Sequence, residues 1–141
     1  MKVYKVEDIE SFEKDESGYL ICPTGDYSQI ESFGKRCSFG GSCNFGESCS
    51  FGDGCNFGIS CSFGDGCSFG NNCDFHGFCK FGISCRFGEN CSFGKRCNFG
   101  KLCSFCGVCQ FGYNCNFGMS CNFGVRCSFG DGCNLENNRV C

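Results

Sequence analysis

The chain has 141 residues, of which Gly (23), Cys (20) and Phe (19) supply nearly half, so it is a single repetitive unit with no room for a separate catalytic domain. Its 12 basic residues against 15 acidic ones give neither the basic excess of a nucleic-acid binder nor the dense acidity of a DNA mimic. No stretch is long and apolar enough for a transmembrane span, so neither a membrane nor a nucleic acid is expected as partner.

The amino terminus, MKVYKVEDIESFEKDESGYL, lacks the apolar run of a signal peptide. The cysteines are therefore expected to be free thiols in a reducing cytoplasm, not the bridges of a secreted scaffold. MKVYKV predicts a short strand, and the acidic stretch Glu7 to Glu16 a solvated turn or short helix. With a lead-in coil they form an amino-terminal cap over residues 1–30, because the end repeats of a stacked array must cover an open core.

A six-residue register then emerges. YLICPT, GDYSQI and ESFGKR place Ile21, Tyr27 and Phe33 in one recurring large slot, with Glu31 where cysteine stands later. From Cys37 to Cys133 a cysteine falls every sixth residue, and a phenylalanine follows two places on, from Phe39 to Phe129, until Leu135 takes the last slot. The unit is C-x-F-G-x-x, repeated over residues 31–138, with 139–141 as the carboxyl end. Residues two apart on a strand share a face, so Cys and Phe point inward and the residue between them outward. The glycine that follows turns the corner, by positive φ or by permitting close approach. Three such edges close an 18-residue triangular coil, and about six coils stack into a rod of roughly 29 Å plus its cap.

A small residue, any residue, a large apolar residue and glycine, repeated every six, resembles the hexapeptide repeat of left-handed parallel β-helices, here in a Cys/Phe variant. The resemblance implies an all-β, single-stranded, triangular parallel β-helix wound left-handed; the handedness comes from the resemblance, not from the period.

Inside such a rod the phenylalanines form three stacked columns. Cysteine serves beside them as a small, readily buried side chain. The alternative is a thiol-rich metal-binding protein. A metal, however, needs several thiolates converging at about 2.3 Å, whereas column neighbours lie parallel at about 4.8 Å. Reduced, inert thiols are expected, with no metal and no cofactor.

His76, the single histidine, interrupts the repeat in CDFHGF, and Cys106 does the same in CSFCGV. Many hexapeptide β-helix proteins resemble acyltransferases with a histidine base, which makes a minimal acyltransferase using His76 an alternative function. Against it, no long loop leaves the coils to build a pocket. Both residues read as variant corners with glycine one place late, on different edges and on the order of 10 Å or more apart.

The remaining candidates are exposed apolar corner residues: Ile83, Leu102 and Met119 along one edge, with Phe78 and Tyr113 elsewhere. An apolar ridge on a rigid rod is a protein-docking site. The expected function is thus a non-enzymatic scaffold that is protein-binding, inhibitory or structural, with an unidentified protein partner. It would suit a phage-encoded protein that blocks a host factor. The carboxyl end, CNLENNRVC, is too short to cover the last coil, so a homodimer is expected as well.

Overall fold

The computed structural model describes residues 1–135 and 138–140. Among them a helical turn, α1 (Val6–Ile9), precedes short strands β1 to β19. These fall into three parallel sheets, each coil from β3 to β17 giving one strand to each sheet. The first stacks β1 (Leu20–Cys22), β3 (Cys37–Phe39), β6 (Asn56–Phe57), β9 (Asp74–Phe75), β12 (Ser92–Phe93), β15 (Gln110–Phe111) and β18 (Ser128–Phe129). The second stacks β4 (Asn44–Phe45), β7 (Ser62–Phe63), β10 (Lys80–Phe81), β13 (Asn98–Phe99) and β16 (Asn116–Phe117). The third stacks β2 (Ser32–Phe33), β5 (Ser50–Phe51), β8 (Ser68–Phe69), β11 (Arg86–Phe87), β14 (Ser104–Phe105), β17 (Asn122–Phe123) and β19 (Arg139–Val140). From β2 to β18 the paired residues are 18 apart, as Lys80 is from Asn98. The fold is an all-β parallel solenoid.

The interior is built from rings and thiols. Phe69 stacks under Phe87 at 4.9 Å between centroids with 1° between planes, and the same offset repeats up each column. Rings of different columns meet edge to face, as Phe69 and Phe75 do at 5.0 Å and 86°. Each phenylalanine therefore has both of the arrangements that an aromatic quadrupole favours. At the far end Phe129, Cys127 and Cys133 are only half-buried.

At the near end the expected register slips by one place. Ile21 was expected inward; instead Leu20 pairs with Cys37, Ile21 with Ser38 and Cys22 with Phe39, so Cys22 is buried and Ile21 points out. Gly25 is then the cysteine-equivalent of the next edge, because Asp26 bridges to Asn44. The lead-in edge, Leu20 to Thr24, is thus five residues long, not six. The Thr24 hydroxyl donates to the Gly41 carbonyl at 2.8 Å, doing the work of the missing corner amide. The Tyr27 hydroxyl donates to the Pro23 carbonyl at 2.6 Å, fixing the shortened turn while its ring stacks under Phe45 at 5.6 Å. Below it Tyr4 stacks on Tyr27 at 5.0 Å and Phe12 meets Tyr4 edge to face at 5.3 Å, which closes the ring column with the cap.

Counting from cysteine as position 1, the amides of positions 2, 4 and 6 reach carbonyls of a neighbouring coil. Ser62 donates to Cys43 at 2.9 Å, Gly58 to Phe39 at 3.0 Å and Ser48 to Asp65 at 2.8 Å. The carbonyl of position 4 stands outside this ladder and faces the interior, where a thiol one coil on reaches it. Cys61 lies 3.4 Å from the Gly40 oxygen, Cys91 3.4 Å from that of Gly70 and Cys103 3.4 Å from that of Gly82. Cysteine is thus a weak donor to a backbone acceptor as well as a filler of space.

Of the two roles open to the corner glycine, close approach is the one used. A Cβ on Gly58 would sit 2.6 Å from the Gly41 nitrogen, and one on Gly94 2.5 Å from that of Gly77. Positive φ falls instead at position 6, immediately before each cysteine, on residues from Arg36 to Gly132.

Candidate docking face

Position 6 explains how side chains are thrown outward at the corners. Left-handed backbone suits Gly and Asn and is disfavoured for bulky residues. Most corners comply, with Asn72, Asn90, Asn114, Gly54 and Gly66 there, or with serine as at Ser60 and Ser84. Phe78 (φ 65°), Leu102 (φ 64°) and Val108 (φ 65°) do not, and neither do Arg36, Arg96 and Arg126. Strain of this kind costs about 1–3 kcal/mol at a residue and persists only where its surroundings hold it. Here neighbouring coils hold it: Phe78 N–H donates to Lys95 at 2.9 Å and Leu102 N–H to Met119 at 3.0 Å.

Ile83, Leu102 and Met119 share one corner, the one leaving the second sheet. Ser84 N–H donates to Lys101 at 3.0 Å, and the Leu102 bond carries the column on to Met119. Phe78 and Tyr113 share the corner entering that same sheet, with Lys95 between them. The Lys95 ammonium is 5.9 Å from the Phe78 ring centroid and 5.6 Å from that of Tyr113, within cation–π range. All five residues therefore border one face, that of β4, β7, β10, β13 and β16, and all five are exposed.

The face between the two corners presents Ser62, Lys80, Asn98 and Asn116, and the Asn116 amide donates to the Asn98 side chain at 3.0 Å. Along one margin Phe78, Arg96, Asn98, Asn114 and Asn116 line a shallow groove of about 360 Å³. Ile59, 56% exposed, belongs to the same corner column as Phe78 and Tyr113, since Ser42 N–H donates to Ile59 and Ser60 N–H to Gly77. Writing the sequence in rows of 18 would have found it. Val108 and Val125 lie on the third corner, joined by a 2.8 Å bond.

His76 and Cys106 are exposed at position 4 of two different corners. Their backbones do what glycine does there: His76 N–H donates to Phe57 at 3.0 Å and Cys106 N–H to Phe87 at 3.1 Å. Their carbonyls accept the thiols of Cys79 and Cys109, each at 3.1 Å. Glycine is needed one place later because crowding now comes from the coil above, where a Cβ on Gly77 or Gly107 would lie 2.9 Å from the oxygen of Lys95 or Val125.

Among the described residues no three His, Cys, Asp or Glu side chains are grouped to hold a metal ion, and no helix is long and apolar enough to cross a membrane. Three thiols of the first-sheet column, Cys37, Cys55 and Cys73, are held protonated. The neighbouring thiol of Cys22 and burial push Cys37 up to about 11, that of Cys37 and burial push Cys55 up to about 11, and that of Cys55 and burial push Cys73 up to about 12. Such groups are poor nucleophiles and poor metal ligands near neutral pH.

No protein-family profile, curated protein or solved structure matches this chain.

Proposed function

We propose that the protein is a non-enzymatic solenoid of the hexapeptide-repeat type, left-handed and with Cys and Phe in the small and large slots, that holds one face rigidly before a protein partner. The observation that carries this reading is the placement of Phe78 and Leu102. Both are exposed, both take a backbone conformation that most other coils give to Ser, Asn or Gly, and they stand on opposite borders of the same sheet. Neither is needed by the core, which is closed by the ring columns behind them. Large apolar side chains kept at strained, solvent-facing positions are a signature of recognition.

The partner engaged there would be blocked, bridged or braced by a surface that cannot deform, which suits an inhibitory, adaptor or structural role. Immobilised protein incubated with native lysate should retain a defined partner, identified by mass spectrometry. Changing Ile83, Leu102 and Met119 together to Asp should abolish retention, as should Phe78→Asp with Tyr113→Asp. Circular dichroism shows whether each variant still folds. Retention that survives both sets of changes in folded protein sinks the docking face.

A further inference from the structure

Charge is distributed unevenly along the rod. Six of the 15 acidic residues lie within the first 16 residues, whereas seven of the 12 basic residues and three of the acidic ones follow residue 78. On the face bordered by Phe78 and Leu102 the coils of β10 and β13 carry Lys80, Lys95, Arg96 and Lys101, all exposed and without an acidic residue among them. At the amino-terminal end Glu7, Glu10, Glu13 and Glu16 are exposed around α1, beside exposed Val3 and Val6, and the six acidic residues of the first 16 outnumber the basic Lys2, Lys5 and Lys14 two to one. One surface mixes cations with apolar side chains, and the other sets an excess of carboxylates over cations beside apolar side chains.

We infer that the basic face binds the acidic amino-terminal segment of a second copy of this chain. The inference rests on the docking-face reading above and names the occupant. Each copy carries the basic surface on the middle strands of the second sheet, and Val3 bridges Asp26, which bridges Asn44, so the amino-terminal segment begins beneath that same sheet; two rods laid side by side and antiparallel about a two-fold axis therefore satisfy both contacts at once. Closed two-fold pairs are the commonest assembly. The same arrangement sets the two charge gradients antiparallel side by side, a favourable orientation for two dipoles. Val3 and Val6 of each copy then meet the Phe78, Lys95 and Tyr113 corner of the other, so apolar area is covered where charge is paired.

Sedimentation velocity and light scattering on the full chain test this at low and at high salt. The expected result is a particle of twice the 15.4 kDa chain mass that dissociates as salt rises, since exposed charges are screened within about 10 Å at 0.1 M. Lys95→Glu with Lys101→Glu should weaken association by at least about tenfold, as should Glu7→Lys with Glu10→Lys. All four changes in one chain should restore the pair. None of these side chains is buried, and circular dichroism confirms folding of each variant. A monomer at all salt concentrations, a dimer indifferent to both reversals, or failure of the fourfold swap to restore association overturns the inference. If the monomer still retains a lysate partner through the same face, the docking reading stands and only the second copy is excluded. If the basic face instead retains a single-stranded oligonucleotide, and the Lys95 and Lys101 reversals abolish that while leaving the chain monomeric, the face is a nucleic-acid site and the pairing is wrong.

Discussion

At the scale of single residues the cysteine carries two duties that a spacing pattern cannot separate. Its size was legible: one small inward residue beside each ring. Its hydrogen bond was not, because nothing in C-x-F-G-x-x says that the carbonyl of position 4 turns inward. Cys91, wholly buried, lies 3.4 Å from the Gly70 oxygen. Replacing it by Ala removes both the volume and the donor, and an acceptor left unsatisfied in the interior costs about 1–3 kcal/mol. Replacing it by Val removes the donor while filling the site with a slightly larger, branched side chain. Denaturant unfolding should find both variants less stable than the parent, with Val no better than about 1 kcal/mol below it. A Cys91→Val protein as stable as the parent would reduce the thiol to filler.

At the scale of the corner the glycines separate by crowding alone. A Cβ on Gly58 would meet the backbone of Gly41 at 2.6 Å, whereas one on Gly34 would meet nothing within 4 Å, since no preceding six-residue corner lies beneath it. Neither residue has positive φ. Gly58→Ala should therefore destabilise by several kcal/mol or prevent folding, because two backbones must separate. Gly34→Ala should stabilise by about 0.4–1 kcal/mol through the unfolded chain. Thermal melts of the pair decide it, and equal losses at both positions would refute the crowding account. The coil was readable in the sequence because three edges of six residues repeat without a gap, and the sheet partners of Lys80 or Phe75 follow from counting by 18. What could not be read was the slip at Ile21. YLICPT has an apolar residue in either phase, and the choice goes with two contacts that the repeat does not encode, the distant one of Thr24 with Gly41 and the local one of Tyr27 with Pro23. The same holds for the proposed docking face. The edge shared by Ile83, Leu102 and Met119 was visible in the register, but the gathering of all five candidates around one sheet needed the two corners to be seen as its opposite borders.

At the scale of the whole molecule stability comes from repetition, since every coil touches only the coils next to it. The protonated thiols make the sum sensitive to alkali. Unfolded thiols titrate near 9, whereas those of Cys37 and Cys55 are raised to about 11 and that of Cys73 to about 12. Between these values the unfolded chain releases protons that the folded chain retains, so stability is full below pH 9 and declines from there up to about 12. Through these three thiols, melting temperatures measured under reductant should fall as pH rises beyond about 9. A flat profile to pH 11 would mean that the sulfurs ionise as freely inside the rod as outside it.

The exposure of the cysteines also makes the rod its own recorder of motion. Cys106 meets water at its corner and Cys127 and Cys133 are half-open, while Cys79, Cys85 and Cys91 are sealed. An alkylating reagent can reach a sealed sulfur only when the coils on either side part, so the order in which these positions acquire adducts is the order in which the solenoid frays.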